Sequence, residues 1–513
     1  MAARETRLAS VSPQHAEPPY VLALDIGTSS IRAILFDRWG RSIEGLRSRA
    51  HYTLHTAPDG TVEADAEEML HALWGCIDAV TAQLGSLTGD IAGVASCSLV
   101  SNVLGVDEDG RAITPVYTYA DTRPAPDVHT LRAHFDEREV HRRTGTLFHT
   151  SYLPARFLWL ARTQPHLLKR VWRWVSIGEY MELRLFGETA VSYSVASWTG
   201  LLDRRRLQWD DELLNFLPID KHHLSPLTDV HVPRRGLQAP YRHRWPALAD
   251  IDWFPTVGDG AAANIGSGCV APERVALTMG TSSAIRVVTS EQVEEIPWGL
   301  WCYRVDARRS LPGGALSEGG NVFAWLKDRL QLNGNGQALE EKLAAMPPDG
   351  HGLTVLPFLA GERSPGWRGD ARATIHGLTL AHTPMDILRA GMESVAYRLG
   401  QVFHLLQPIL PANVEIIASG GALVHSPTWA QIIADVLGHP LSVSQVPEAS
   451  ARGTALLALE TLGVISDIRN APTFTGRTFV PHEEHHRIYQ SAMKRQQELY
   501  ERLLGEDGAL KRR

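Results

Sequence analysis

The sequence predicts an α/β protein built from two similar domains that face each other across a cleft. At 513 residues the chain is too long for one ordinary domain, and two large domains fit its length. Hydrophobic residues make up 44% of the chain, enough for two cores. The tetrapeptide Gly-Thr-Ser-Ser occurs twice, at Gly27–Ser30 and Gly280–Ser283, each time between two short apolar runs. Two such hairpins, one in each half, indicate a repeated architecture.

The first copy is predicted to be the turn of a β-hairpin. Its strands are the apolar runs Val21–Leu24, followed by Asp25, and Ile31–Phe36. A turn of glycine and hydroxyl residues presents N–H and O–H donors that can bind phosphate. Asp25, at the last strand position, would face the bound phosphate. Because a carboxylate and a phosphate repel each other, this arrangement implies a metal ion such as Mg²⁺.

The middle of the chain contains a second acidic corner. An apolar run from Asp252 reaches Gly258-Asp259-Gly260, and small residues follow as far as Gly268. This pattern predicts a strand-to-helix corner at Asp259. The flanking glycines would allow a ligand to approach closely.

Four motifs together resemble the FGGY carbohydrate kinases. They are DIGTSS-x-R from Asp25 to Arg32, the Gly-Asp-Gly around Asp259, the second GTSS, and ASGG at Ala418–Gly421. The resemblance covers Val21 to about Leu462. It implies two actin-like domains with the ribonuclease H-like, hexokinase-type ATPase fold. The predicted order of strand, strand, strand, helix and strand after residue 20 agrees with an actin-like half-domain.

The resemblance implies that ATP binds in the cleft. Thr28, Ser29, Arg32 and Thr281 would bind its phosphates, and the turn at Gly420 would lie against the adenosine. The same turn also serves as a strand-to-helix corner, and the two roles do not conflict. The full set of predicted nucleotide-binding residues is Gly27, Thr28, Ser29, Arg32, Gly280, Thr281, Gly320, Gly420, Gly421 and Ala422.

In this family resemblance Asp259 is the catalytic residue. It would act as the general base, taking the proton from a sugar hydroxyl while that oxygen attacks the γ-phosphate in line. Asp25 and Asp259 would flank the Mg²⁺ ion. Closure of the cleft would exclude water.

The resemblance places the sugar beside two segments of the first half, SLVSN and YADTRP. Ser101, Asp121 and Arg123 are the predicted substrate residues. Ser101 stands where several members have His, and Tyr119 stands where Trp is commoner. The alternative for Asp121 and Arg123 is a surface ion pair, which stabilises little. Tryptophans 159, 172, 174, 198 and 209 are predicted to pack in the core.

Two glycine-rich segments are most similar to the gluconate kinases of the family. They are GGALSEGG at Gly313–Gly320 and GERSPGW at Gly361–Trp367. The predicted reaction is therefore phosphorylation of D-gluconate to 6-phosphogluconate, with xylulose, ribulose or another polyol as the alternative substrate. A carboxylate substrate requires a cation, which Arg123 or Arg363 could supply.

Two functions of other classes are also considered. A non-catalytic actin-like sugar sensor or scaffold that binds ATP would keep both turns but lose the base, and Asp259 is present. The segment His482–His486 fits the zinc-protease pattern H-E-x-x-H. Its neighbours are polar and no third ligand is apparent in the sequence, which argues against a zinc hydrolase. A Walker-A lysine loop is absent from the sequence.

Composition excludes several partners. The net charge of −7 argues against nucleic-acid binding. The four cysteines are scattered without a CxxC pattern, which suits a reducing cytoplasm. No apolar run is long enough for a membrane span, and the start of the chain lacks a signal-peptide pattern. The expected partner is a small sugar or sugar acid, and assembly as a homodimer is left open.

The predicted boundaries divide the chain into four parts. Residues 1–19 are expected to be a disordered tail. Residues 20–268 form the N-terminal actin-like domain with the sugar site and the first phosphate-binding turn. Residues 269–465 form the C-terminal actin-like domain with the second turn and the adenosine site. Residues 466–513 form a linker and a terminal helix.

Overall fold

The computed structural model describes residues 9–332 and 336–505, which form two α/β halves around a cleft. Elements are numbered in chain order. The strands of the first half are β1 (Ser10–Val11), β2 (Tyr20–Ile26), β3 (Ile31–Phe36), β4 (Ser42–Ala50), β5 (Leu54–Thr56), β6 (Val62–Ala64), β7 (Ile91–Ser98), β8 (Leu104–Val106), β9 (Val116–Tyr117), β10 (Arg173–Val175), β11 (Val191–Ser192), β12 (Leu202–Asp203), β13 (Gln208–Trp209), β14 (Leu227–Thr228) and β15 (Asp252–Gly258). The helices of the first half are α1 (Ala66–Thr81), α2 (Ala125–His134), α3 (Glu137–Thr144), α4 (Leu153–Thr163), α5 (Pro165–Leu168), α6 (Ile177–Phe186), α7 (Tyr193–Ser197), α8 (Asp211–Phe216), α9 (Ala239–Arg244) and α10 (Asp259–Gly266).

The second half follows directly and ends in a long helix. Its strands are β16 (Arg274–Met279), β17 (Ser283–Arg286), β18 (Trp301–Arg304), β19 (Ser310–Leu316), β20 (Thr354–Leu356), β21 (Thr374–His376), β22 (Glu415–Ser419), β23 (Leu441–Ser444) and β24 (Thr475–Phe479). Its helices are α11 (Gly320–Arg329), α12 (Gly336–Ala345), α13 (Pro384–Leu406), α14 (Gly421–Val424), α15 (Pro427–Leu437), α16 (Ala449–Thr461) and α17 (Glu483–Leu504).

The main sheets of the two halves have the same topology. The first sheet runs β1-β4-β3-β2-β7-β15, and the second runs β18-β19-β17-β16-β22-β23-β24. The run β4-β3-β2-β7-β15 of the first sheet corresponds to the run β19-β17-β16-β22-β23 of the second. In each run the first strand of an antiparallel hairpin, β2 or β16, pairs in parallel with the next strand, which pairs in parallel with the last. This repeat confirms the predicted two-domain actin-like fold.

Both predicted hairpins form because a short apolar strand on each side is buried and a glycine turn joins them. In the first, Asp25 lies opposite Arg32 across β2 and β3, and the Gly27 N–H donates to the Ser30 carbonyl at 3.1 Å. In the second, the Gly280 N–H donates to the Ser282 carbonyl at 2.9 Å. Both turns therefore lie at the ends of central strands, where they reach the cleft.

Several helices begin at a residue whose side chain caps them. Asp65 caps α1 by accepting from the Glu68 N–H at 2.8 Å, and Ser426 caps α15 with Pro427 at the first helical position. Thr383 caps α13 in a capping box.

Two predictions about the chain ends need correction. Ser10–Val11 is an ordered strand that pairs in parallel with Ser42 and Ile43, so the tail is not disordered over this stretch. Residues 1–8 lie outside the described residues. The segment 466–479 is also more than a linker, because Thr475–Phe479 pairs with the edge of the second sheet. Two or three backbone pairs at a sheet edge leave little pattern in a sequence.

Two buried helices cross where the halves meet. α10 begins at the end of β15 in the first sheet, while α16 comes from the second half and packs against α10 and the strands β2 and β7. Among the described residues, no helix is long and apolar enough to cross a membrane.

Candidate active site

A cavity of about 220 Å³ lies between the two halves, and both contribute to its wall. Thr28, Ser101 and Asp259 line it from the first half, and Arg286 and Arg363 line it from the second. The cavity therefore brings together three of the residues predicted from sequence and one of the two candidate cations.

Asp259 is the first residue of α10, as predicted for a strand-to-helix corner. Its Oδ1 accepts a hydrogen bond from the Gly260 N–H at 2.8 Å. Burial, and then the neighbouring Asp25 carboxylate, raise the pKa of Asp259 to about 7, while Arg286 acts in the opposite direction. A carboxyl group with this pKa can exchange a proton near neutral pH.

The glycines beside Asp259 make room for a side chain of the protein. A Cβ at Gly258 would lie 2.8 Å from Trp198 Nε1, and one at Gly260 would lie 3.0 Å from Trp198 Cη2. The glycines beside Asp259 were predicted to allow close approach of a ligand, but in the structure they allow close approach of the Trp198 indole ring. Trp198 itself lines the cavity.

Asp25 lies at the end of β2 and is 4% exposed. It accepts a hydrogen bond from Arg32 Nη1 at 2.7 Å and from Cys97 Sγ at 3.4 Å. Burial raises the pKa of Asp25, and the Arg32 guanidinium partly offsets this effect. Arg32 Nη1 also lies 3.3 Å from Glu448 Oε2, so its charge is shared between carboxylates of both halves.

The Tyr52 side chain fixes the backbone of the first turn, Gly27–Ser30. Tyr52 Oη donates to the carbonyl oxygens of Gly27 at 2.9 Å and Thr28 at 2.7 Å. These contacts keep two acceptors of the turn away from a bound anion. Ser29 is exposed, and Thr28 lines the cavity.

The second turn opens on a larger and more apolar cavity of about 710 Å³. The Gly320 N–H donates to the Gly280 carbonyl at 2.8 Å, and a Cβ at Gly320 would lie 2.7 Å from that oxygen. Gly420 has φ +97°, and a Cβ there would lie 2.2 Å from the Met279 carbonyl oxygen. Five of the predicted nucleotide-binding residues line this cavity, namely Gly280, Thr281, Gly320, Gly421 and Ala422. Three large apolar residues also line it, namely Phe323, Leu339 and Trp429. An apolar wall that ends at a turn rich in donors fits a nucleoside with attached phosphates.

Asp121 and Arg123 do not line the cavity. Asp121 is completely buried and forms ion pairs with Arg123 and with Arg156, whose Nη1 lies 3.7 Å from Asp121 Oδ2. Arg123 Nη2 also lies 2.8 Å from Glu63 Oε2, and its guanidinium stacks on the Trp159 ring at 4.5 Å. The structure favours the ion-pair alternative, although Asp121 is buried and Arg123 only half-buried, so the pair is not a surface one.

Ser101 lines the cavity in an unusual conformation. Its φ is +54°, a region that non-glycine residues rarely adopt. Its Oγ donates to the Trp198 carbonyl at 2.7 Å, so the hydroxyl hydrogen is already engaged. Ser101 therefore shapes the wall and holds Trp198, and its hydroxyl can accept but not donate a further hydrogen bond.

Several cavity residues escaped the sequence analysis. Tyr152 and Tyr303 share a hydrogen bond of 2.5 Å between their hydroxyl groups, and Trp198 stacks on Tyr303 with ring centroids 3.6 Å apart. These aromatic residues come from distant segments, so no local pattern identifies them. Arg286 could have been found from the sequence, because an Ile-Arg pair follows both copies of GTSS and Arg286 is the counterpart of Arg32.

The two arginines of the cavity have unused hydrogen-bond donors. Among the described residues neither Arg286 nor Arg363 forms a close ion pair, and the Nε atom of each is buried without a hydrogen-bond partner. Arg286 Nη1 donates to Thr278 Oγ1 at 3.5 Å. Burial lowers the pKa of Arg286, the Asp259 carboxylate raises it, and the nearby Arg363 lowers it. Burial raises the pKa of Glu318 to about 8, and Arg398 and Arg363 act in the opposite direction. Two adjacent cations with unused donors favour an anionic ligand.

Two domains of the same topology, each with a Gly-Thr-Ser-Ser turn that reaches a common cleft, define a two-domain protein of the actin-like fold. The chain belongs to the FGGY family of carbohydrate kinases. The N-terminal domain of that family matches residues 20–266, and its C-terminal domain matches residues 275–461. The protein is therefore a sugar kinase, and kinases of this family use ATP as the phosphate donor.

Known relatives agree on the class and differ in substrate. A gluconokinase of Bacillus subtilis is 28% identical over 493 residues, covering 92% of this chain and 94% of its own. The gluconate kinase structure from Lactobacillus acidophilus is 26% identical, with a TM-score of 0.88 over 95% of this chain and 98% of its own. A xylulose kinase structure from the same organism is 25% identical, with a TM-score of 0.89 over 95% of this chain and 99% of its own. The predicted family and fold are confirmed.

Proposed function

We propose that the protein transfers the γ-phosphoryl group of Mg·ATP to the terminal hydroxyl of D-gluconate, producing 6-phosphogluconate and ADP. The observation that supports gluconate is the pair Arg286 and Arg363, which bring two positive charges with unpaired Nε donors into the same cavity as Asp259. The likeness to gluconokinases supports the same substrate.

The two arginines have different charged neighbours. The Arg286 guanidinium lowers the pKa of Asp259, opposite to the effect of burial. Arg363 is close to Arg286 and to the buried His149, whose pKa falls to about 3 because of burial and then Arg363. We therefore assign the substrate hydroxyl to Asp259 and the substrate carboxylate to Arg363, with Arg286 between them.

In the proposed reaction Asp259 accepts the proton of the sugar hydroxyl as its oxygen forms a bond to the γ-phosphorus. The bond between that phosphorus and the β,γ-bridging oxygen breaks, and ADP leaves with the electron pair. A pKa of about 7 means that about half of Asp259 is ionised at neutral pH in the metal-free protein, and a Mg²⁺ ion bound beside it would favour the ionised, basic form.

The nucleotide would occupy the apolar cavity beside the second turn, with its phosphates between Thr28 and Thr281. Asp25 and Asp259 would hold Mg²⁺, and the fit of this ion rests on their mutual repulsion, since Asp25 raises the pKa of Asp259. When bound, the ion neutralises charge on the phosphates.

A neutral ketose or polyol, such as xylulose or ribulose, is the second candidate, because the fold resembles that of a xylulose kinase equally well. The hydroxyl oxygens of such a substrate can accept hydrogen bonds from the arginines, but they bring no negative charge. A hydrogen bond between a guanidinium and a carboxylate is roughly twice as strong as one between neutral groups.

A matched pair of substrates tests the proposal. D-glucitol has the same six-carbon chain as gluconate but carries an uncharged hydroxymethyl group in place of the carboxylate. We expect kcat/KM for gluconate to exceed that for D-glucitol by at least ~10-fold, from one charge-assisted hydrogen bond. Xylulose, ribulose and glycerol complete the panel in a coupled assay of ADP release. A higher kcat/KM for any neutral substrate would overturn gluconate, and no turnover with the whole panel would support the sensor alternative.

A further inference from the structure

We propose that the protein has a divalent metal site of the zinc type where α17 docks on α15, apart from the kinase cavities. Its ligands are Asp435 of α15, His482 directly before α17, and His485 in the first turn of α17. One ligand atom from each of these residues lies within 4.8 Å of the other two. Two imidazoles and one carboxylate are a common ligand set for Zn²⁺.

The distances between the ligand atoms fit one tetrahedral ion. Asp435 Oδ2 lies 3.0 Å from His485 Nδ1 and 3.5 Å from His482 Nδ1. With Zn–N and Zn–O bonds of about 2.0–2.1 Å, neighbouring ligands of a tetrahedral ion are about 3.3 Å apart. These two distances lie on either side of that separation, and the two imidazole nitrogens lie within 4.8 Å of each other, so side-chain rotations would bring the three ligands around one ion.

The carboxylate is fixed by contacts that leave one oxygen free for the ion. Asp435 Oδ1 accepts from the His482 backbone N–H at 2.8 Å and from Gln431 Nε2 at 2.8 Å. Gln431 Nε2 also donates to the Val480 carbonyl at 2.9 Å, which holds the amide in place. Such outer contacts orient metal ligands and raise affinity.

The site combines a buried anion with accessible imidazoles. The Asp435 side chain is 3% exposed, whereas those of His482 and His485 are 58% and 38% exposed. A metal ion can therefore enter from solvent, and water can complete its coordination. An ion here would join the C-terminal helix to the second domain.

This site differs from the one that the sequence pattern suggests. The pattern H-E-x-x-H pairs His482 with His486, but His486 Nδ1 lies 2.8 Å from the Asp435 backbone carbonyl and its ring lies against Gly438. The ligand pair is instead His482 and His485. The third ligand is on another helix, where the sequence offers no hint of it.

The competing explanation is a hydrogen-bonded cap, in which two neutral imidazoles donate to Asp435 and no metal binds. Calorimetry with Zn²⁺ on the full-length, untagged protein separates the two, with excess Mg²⁺ present to occupy Asp25 and Asp259. We expect one site per chain. His482→Ala and His485→Ala should each weaken the affinity at least ~10-fold, because each removes a ligand.

Two controls make the test specific. His486→Ala, which alters the same motif, and His376→Ala, on an exposed strand, should bind Zn²⁺ within ~3-fold of wild type. Co²⁺ should give the visible absorption of a tetrahedral ion in wild type and lose it in His485→Ala. The proposal is overturned if wild type binds no Zn²⁺, if His485→Ala binds as tightly as wild type, or if His486→Ala loses as much affinity as His485→Ala.

Discussion

Gly453 of α16 lies directly against Ala262 of α10, so that a Cβ at position 453 would be 1.8 Å from the Ala262 carbonyl oxygen. The contact is reciprocal, because a Cβ at Gly266 would be 1.8 Å from the Ala449 carbonyl oxygen. Since α10 begins at Asp259, this crossing sets the position of the acidic residue relative to the second half. The glycines here serve close backbone packing.

Gly453→Ala should therefore destabilise the protein. The added methyl group must push the two helices apart, and overpacking of a tight core typically costs about 1–3 kcal/mol. Gly75→Ala is the control, because Gly75 lies on the exposed side of α1 with open space around its Cα. Alanine there should raise the free energy of unfolding by up to ~1 kcal/mol through helix propensity. Denaturant unfolding of both variants checks the pair, and a wild-type value for Gly453→Ala would contradict the crossing.

Arg363→Gln should lower kcat/KM for gluconate by roughly 10- to 100-fold, the effect of one charge-assisted hydrogen bond. The same variant should act on D-glucitol within a few-fold of wild type, because that substrate has no carboxylate. Arg111→Gln is the control, since Arg111 pairs with Asp109 on the surface. Equal losses with both substrates would instead assign Arg363 to the phosphoryl group or to the fold.

What could be predicted from the sequence is what depends on neighbouring residues. The two GTSS turns, the corner at Asp259 and the caps Asp65 and Ser426 are each specified within a few positions. Because the hairpin occurs once in each half of the chain, these local patterns also predicted the two similar domains.

What could not be predicted depends on contacts between distant segments. Asp121 is buried and Arg123 is half-buried, in contact with Arg156 and Glu63 from other elements, and no pattern around Asp121 shows this. Likewise Trp198 reaches the cavity by stacking on Tyr303. A buried ion pair and a surface ion pair consist of the same residue types, so the sequence alone does not distinguish them.

The activity should depend on the ionisation of Asp259. Its pKa is raised from 3.8 to about 7, first by burial and then by Asp25, so the basic form is lost as the pH falls below 7. With Mg·ATP held below its KM, kcat/KM for gluconate should fall about tenfold per pH unit on the acid side. Rates measured between about pH 5 and about pH 9 test this. An activity that stays constant down to about pH 5 would exclude a base with this pKa.

Asp25→Ala should weaken binding of Mg·ATP and reduce turnover together. The variant removes one of the two carboxylates assigned to the metal and leaves Arg32 paired with Glu448 alone. Calorimetry with Mg·ATP, and then with ATP in EDTA, separates a loss of metal binding from a loss of binding to ATP itself. The loss should be confined to the magnesium complex, because metal-free ATP gains from the removal of a negative charge. Wild-type affinity for Mg·ATP would remove Asp25 from the metal site.

Asp259→Asn should abolish most activity without unfolding the protein. Asparagine keeps the size of the side chain, and its oxygen can still accept from the Gly260 N–H, but it cannot take the proton. Loss of a general base typically costs about 10²–10⁴-fold in rate, equivalent to roughly 3–5 kcal/mol of barrier. We expect kcat to fall by at least ~100-fold while ATP still binds.

Stability provides the control for this variant. In the folded protein Asp259 holds its proton up to a pH of about 7, whereas in the unfolded chain it loses it near 3.8. The folded state therefore binds more protons between these values, and wild-type stability falls as the pH rises through that window. The asparagine variant does not ionise, so above pH 7 its free energy of unfolding should equal or exceed that of wild type. A variant that is folded and turns over within a few-fold of wild type would show that Asp259 only forms the corner, and that another residue is the base.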